Sequence, residues 1–369
     1  MTELRAYAPN YAVPPGDILE EHRDASAMTQ AELSDRLGLS GKHVNRIIAG
    51  EEPITPETAL KLESVFGLPA HVWLNLEARF QEAKARDAEA ASIAIEEHWL
   101  DVIPHKSIAK LGWMPPSRDR KVLVKSLREF FRVGSLDYLP EVWSGLNAAY
   151  RSTPAFKSHE WALVAWLSQG ERLAESVQCK PFDASGLRSS LAELKALSRL
   201  PGIEFCKPLV RRCADYGVAL VFIPPPDGAR VCGATRWLTS DKALVQLSLR
   251  YKTDDQLWFT IFHELGHVLL HGKKSDYIDF EKPEVKSERE LEADRFAAQT
   301  LIDQKALSDF AMNGDFTAAA VKAFAESQDV GPGIVVGQLQ HMKAIPYATA
   351  LNRFKSRFKW ISESQRTGD

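Results

Sequence analysis

The spacing of apolar residues divides the chain into a helical front, a helical middle and a stretch that mixes strands with helices. Residues 28–50 read MTQAELSDRLGLSGKHVNRIIAG. Ala31, Leu37, Leu39, Val44 and Ile47 or Ile48 supply a small core for two helices. Thr29, with Glu32 three positions on, makes a capping box, Leu37-Gly38-Leu39 makes a tight turn, and Ser40 caps the second helix. Two short helices joined this way are a helix-turn-helix. Residues 86–200 read as helical and rich in tryptophan, interrupted at Pro104, Pro115-Pro116, Pro140, Pro154 and Pro181. Beyond them a helix is predicted near Phe205–Tyr216, followed by an apolar strand, VALVFIPPP, that prolines stop. In ALVQLSLRY, Ala243, Val245, Leu247 and Leu249 share one face, while Leu244, Gln246, Ser248 and Arg250 share the other, the spacing of a half-buried strand. A capping box at Thr253 and Gln256 opens the next helix, which runs to His271 and stops at Gly272. Another helix follows Ser287.

That pattern predicts four blocks: 1–85, 86–200, 201–342 and a basic tail, 343–369, fraying after Ile361. A chain of 369 residues is too long for one ordinary core. Apolar content of 45% and charged content of 26% are those of a globular protein. No apolar run reaches the ~18 residues that span a bilayer, and the N-terminus has no apolar core for a secretion signal. The four cysteines lack CxxC spacing, which argues against a disulfide framework or a cysteine zinc site. The expected location is the cytoplasm, with no membrane partner. The net charge of −3 excludes a global field for nucleic acid.

The chemistry is concentrated in FTIFHELGHVLLHG, an HExxH motif. Residues four apart lie on one helical face, so His263 and His267 can aim nitrogens at one ion. Glu264, one position on, points beside the metal, where it can take a proton from water as the catalytic base. A catalytic zinc needs a third protein ligand and an open fourth position. In SERELEADRFAAQTL, Glu290 is the expected third ligand and Asp294 the acceptor that orients a ligating histidine; Glu288 and Glu292 are rivals, and Glu290 could also complete a capping box with Ser287. His271 reads as a structural or substrate-side histidine. The ligand set favours Zn2+ over manganese or iron. Ala243–Tyr251 is expected to line the cleft and pair with an extended peptide along its edge.

In the helix-turn-helix, the second helix would present Lys42, His43, Asn45 and Arg46 to the major groove, with Gln30 on a phosphate. Residues 1–85 hold thirteen acidic and eight basic residues, so the block lacks the usual basic footprint. In the tail, Leu351, Phe354 and Phe358 are spaced as an amphipathic helix, expected to pack on the third block.

Residues 14–80, especially ITPETALKLE and WLNLEARF, resemble the HigA-type antitoxin branch of the Xre helix-turn-helix family. Residues around 205–342 resemble the ImmA/IrrE metallopeptidase family through GATRWL, LVQLSLRY, DDQLWFTIFHELGHVLLH, EADRFAAQTL and PGIVVGQLQH. Where that family often ends this helix in LLMP, this chain reads LIDQ at Leu301–Gln304. The fold class expected is multi-domain: an all-α helix-turn-helix domain, a helical connector and an α+β zincin-like metallopeptidase domain. The resemblance implies a dimeric regulator that binds operator DNA. It also implies a zinc endopeptidase that cleaves a helix-turn-helix repressor or a toxin or antitoxin partner in a stress or mobile-element response. The competing reading is a regulator or antitoxin whose peptidase-like domain is a non-proteolytic sensor.

Overall fold

The computed structural model describes residues 13–144, 154–272, 277–280 and 287–361; the fraying expected after Ile361 lies outside them. The chain forms two compact units, Met1–Glu97 and His98–Asp369. The stretch 86–200 contributes to both.

The first unit is all helix: α1 (Pro15–Ala25), α2 (Gln30–Leu37), α3 (Gly41–Ile48), α4 (Pro56–Phe66) and α5 (Ala70–Ile95). Its ends are set by local chemistry. Thr29 and Glu32 form the reciprocal capping box, Gly38 closes α2 at φ 62°, and the Ser40 hydroxyl accepts from the His43 amide. Leu19, Leu33, Leu37, Val44, Ile47, Leu62 and Trp73 form the core. Gly16 lets α1 touch α3, since a Cβ there would lie 2.2 Å from the Ile48 carbonyl oxygen.

The second unit begins with α6 (His105–Lys110), α7 (Arg120–Phe131), α8 (Leu139–Val142), α9 (Pro154–Ser176), α10 (Ala184–Ala196) and α11 (Cys206–Ala214). Strands β1 (Val218–Phe222), β2 (Val231–Thr239) and β3 (Lys242–Leu247) follow, then α12 (Asp254–Leu270) and β4 (Tyr277–Phe280). Helices α13 (Glu288–Leu301), α14 (Gln304–Asn313), α15 (Ala318–Ser327) and α16 (Pro332–His341) complete it. The sheet order is β1-β3-β2-β4, with β1 parallel to β3 and the other pairs antiparallel.

Strand β3 differs from its expected role. It is paired on both sides, so it has no edge to offer a peptide. It is also buried on both faces. Ala243, Val245 and Leu247 join the core beneath α12, while Leu244 and Gln246 are covered by α9. Gln246 Nε2 donates to the Trp166 carbonyl at 2.6 Å, and Trp166 Nε1 donates to the Ile223 carbonyl at 3.1 Å. Gly170 is required here, because a Cβ would fall on the Gln246 side chain. A buried amide with a partner costs little.

Helix α12 starts differently from the predicted box. Thr253 is the N-cap but its side chain makes no cap hydrogen bond; instead its backbone bridges to Arg357. The Asp254 amide donates to the Ser356 carbonyl at 3.0 Å, and Lys355 Nζ lies 2.6 Å from Asp255 Oδ2. The tail therefore packs on this unit, as a short 3-10 turn, Ala350–Phe354, and extended backbone rather than an amphipathic helix.

Burial pushes the Asp254 carboxyl up to about 6, and the neighbouring Asp255 charge adds to it. An acid raised on folding contributes stability below its ordinary value near 3.8, and that contribution is lost as pH rises through about 6. We expect the unfolding free energy of the second unit to fall by about 2–3 kcal/mol between pH 4 and 7 from this group. Urea unfolding of Asp254→Asn should show that component of the pH dependence gone and stability gained at pH 8.

Candidate metal centre and nucleic-acid helix

Helix α12 carries its polar residues within an otherwise apolar surround. Ile261, Phe262, Leu265 and Val268 are buried in the core, and among them His263 is 1%, Glu264 0% and His267 1% exposed. Groups buried this deeply need partners, and neighbouring elements supply them.

The Nε2 atoms of His263 and His267 face each other at 3.1 Å. Glu290, in the first turn of α13, spans both, with Oε2 3.1 Å from His263 Nε2 and Oε1 3.4 Å from His267 Nε2. The Ser287 hydroxyl caps the Glu290 amide at 3.3 Å, which leaves the Glu290 carboxylate directed at the histidines. A tetrahedral ion with ligand atoms at about 2.0–2.1 Å holds them roughly 3.3 Å apart, so this donor set fits a divalent ion. Burial lowers the His267 pKa, which favours the neutral imidazole that a metal requires. Burial alone would raise the Glu290 carboxyl, but the contacts with His263 and His267 outweigh it and hold the group well below the usual carboxylate range.

The other ring nitrogens are also engaged. His263 Nδ1 lies 3.0 Å from Asp294 Oδ1, one turn beyond Glu290. His267 Nδ1 lies 2.9 Å from His271 Nδ1, and His271 Nε2 lies 2.9 Å from Glu292 Oε2. His271 thus turns away from the point where the ligand atoms converge and orients His267. Glu292, a rival ligand in the sequence, steadies His271 instead.

Strand β2 positions Glu264. Gly233 and Thr235 share the face of β2 that looks at α12. The Thr235 hydroxyl lies 2.7 Å from Glu264 Oε2 and 3.1 Å from its carbonyl oxygen. A Cβ on Gly233 would sit 2.3 Å from Glu264 Oε1, so glycine leaves the room that the carboxylate occupies. Sequence reasoning missed Gly233, Thr235 and the His271–Glu292 pair; the i, i+4 spacing of His267 and His271 was the one available signal.

In the first unit, α3 presents Lys42, Asn45 and Arg46 as exposed residues, with His43 partly exposed. Gln30 Nε2 donates to Asn45 Oδ1, which joins the starts of both helices. Glu52 holds two of the expected DNA contacts, with Oε1 2.5 Å from Arg46 Nη1 and Oε2 2.6 Å from His43 Nδ1.

Outer partners of metal-ligating histidines govern affinity by about 10–100-fold. Asp294→Ala and His271→Ala should each weaken zinc binding by about that much, measured by competition with a chelating dye. Equal affinity in both variants and the wild type would remove these residues from the site.

Comparison with known proteins agrees with this division. Residues 19–73 match the helix-turn-helix family, and residues 217–326 match the peptidase family described as the IrrE N-terminal-like domain. The uncharacterized HTH-type transcriptional regulator YddM of Escherichia coli is 32% identical over 71 residues, 19% of this chain and 76% of that protein. Virulence-associated protein I of Dichelobacter nodosus is 33% identical over 85 residues, 23% of this chain and 78% of that protein. Among solved structures, an addiction module antidote protein of a HigA family from Coxiella burnetii is 31% identical, covering 23% of this chain and 94% of that one, with a TM-score of 0.21. A Pseudomonas aeruginosa protein in complex with its operator DNA is 29% identical, covering 21% and 85%, also with a TM-score of 0.21. The chain belongs to the helix-turn-helix family through residues 19–73 and carries, over residues 217–326, a domain of the IrrE N-terminal-like peptidase family.

Proposed function

We propose that this protein is a cytoplasmic DNA-binding regulator whose second unit is a zinc-dependent endopeptidase, acting on a helix-turn-helix repressor or a toxin or antitoxin partner. The observation that carries the reading is the convergence of His263 Nε2, His267 Nε2 and the Glu290 carboxylate on one point, with Glu264 next to them in sequence and wholly buried. Zinc held there would polarise a scissile carbonyl and acidify the attacking water. Glu264 takes the proton from that water at its carboxylate and passes it to the leaving amine. Thr235 holds that carboxylate in place, and Gly233 leaves it space. Asp294 and His271 fix the two imidazole rings through their far nitrogens. The outer side of β4, the last strand of the sheet, is where an extended peptide would add as a further strand, in place of β3.

In the first unit, a homodimer would set two copies of α3 on an operator. Asn45, joined to Gln30, is placed to read a base edge, and Lys42 to meet a phosphate. Arg46 and His43 would exchange Glu52 for DNA. An exposed ion pair is worth little, so the exchange costs little, though it lowers net affinity.

Metal content by elemental analysis tests the enzyme reading. About one zinc per chain is expected in the wild type and in Glu264→Gln, and none in Glu290→Ala. Cleavage of a fluorogenic peptide library should be present in the wild type alone. Cleavage retained by Glu264→Gln would sink its role as the base, and absence of metal after zinc addition would leave a regulator without peptidase chemistry. For DNA, the salt dependence of operator binding should lose about one unit of slope in Lys42→Ala, whereas Asn45→Ala should relax base preference. Unchanged slope and preference would remove α3 from the groove.

A further inference from the structure

A cavity of about 620 Å³ lies between the segment Val177–Lys180, just after α9, and one face of α11. It lies within the range of small-ligand sites and takes no lining residue from the metal centre. Val177, Val210 and Ala214 line it with apolar surface, and the thiols of Cys179 and Cys206 add to that surface. Burial pushes both thiols up, which keeps them protonated and uncharged.

The charged lining is one-sided. Lys180, Lys207, Arg211 and Asp215 all border the cavity. Lys180 Nζ lies 2.9 Å from Asp215 Oδ1, so these two offset each other. Lys207 and Arg211 are four apart on α11, both exposed, and neither makes an ion pair among the described residues. The next residue, Arg212, pairs with Glu193 at 2.8 Å. The two cations that border the cavity are the ones left over. An apolar hollow under two such cations complements a molecule with an apolar body and an anionic head. An amine would meet repulsion, and an alcohol would leave both charges unanswered.

We propose that this cavity binds a carboxylate-headed amphiphile, its chain against Val177, Val210 and Ala214 and its head between Lys207 and Arg211. A guanidinium and an ammonium four residues apart can grip one carboxylate with charge-assisted hydrogen bonds.

Calorimetric titration of the full chain with decanoate, decanol and decylamine, each below its aggregation threshold, tests this. One decanoate per chain is expected, with the other two at least about tenfold weaker. The double variant Lys207→Glu with Arg211→Glu should lose decanoate by at least about tenfold while its thermal unfolding stays unchanged. If that variant fails to fold, Lys207→Gln with Arg211→Gln reads the same loss. Decanoate should also slow alkylation of Cys179 and Cys206 by N-ethylmaleimide, read by peptide mass. Sedimentation with phosphatidylglycerol vesicles separates the sources of such a head group; the free amphiphile is expected, with no vesicle binding. Equal binding of all three probes, undiminished binding by a folded variant, or vesicle binding without decanoate binding would each overturn the proposal.

Discussion

Burying two imidazoles and a carboxylate within consecutive turns of one apolar helix is the constraint on which the second unit depends. Each such group costs several kcal/mol if left without a partner in the interior. The sequence of α12 cannot supply those partners, because its remaining positions are apolar and face the sheet and the neighbouring helices. They come from elsewhere: Asp294 and Glu290 from α13, Thr235 from β2, His271 from the last turn. The packing of α13 and β2 around α12 is fixed by polar geometry as much as by apolar area. This is also why the arrangement suits a metal, since the inward nitrogens of both rings are held at ligand spacing while the outward ones are engaged.

What could be read from the sequence was local. The helix-turn-helix rests on Thr29, Glu32, Gly38 and Ser40, each acting within four residues, and all four do in the structure what their chemistry predicts. The face shared by His263 and His267 is equally local. What could not be read depends on partners far away in the chain. Gln246 and Ser248 alternate with apolar neighbours and suggest a wet face, yet both are buried. Gln246 donates to a carbonyl 80 residues earlier, and Ser248 donates to the Val231 carbonyl at 2.6 Å. No period in the sequence announces that α9 covers that side of the sheet. Gly233 and Thr235 were hidden for the same reason: an isolated glycine in a strand signals a close approach, but not by what.

The first unit raises a different tension, because its recognition helix sits in an acid-rich block. Glu52 stands beside Arg46 and His43, so two of the residues best suited to DNA are partly neutralised at rest. Lys42 has no such neighbour in the structure's ion pairs, while the amides of Gln30 and Asn45 answer each other and need no charge. That division leaves hydrogen-bond readout intact and weakens the indiscriminate electrostatic attraction that dominates non-specific binding. An acidic domain of this kind trades affinity for discrimination between sequences.

The basic tail is best understood against the same background. Six cations against two acids from Lys343 onward could suggest a nucleic-acid arm. The described part instead spends its charge inside the fold. Lys355 reaches Asp255 and the Gln340 amide oxygen at 2.6 and 2.7 Å, and Arg353 lies over the Phe354 ring. Phe354 and Phe358 pack against the core, while the backbone of Ser356 and Phe358 hydrogen-bonds to the chain entering α12. The start of the metal-centre helix has no side-chain cap of its own and carries two adjacent acids. Favourable as acids are at a helix N-terminus, burying both needs a compensating cation. Lys355 provides it from a hundred residues away, so the tail completes α12 at the end opposite its histidines.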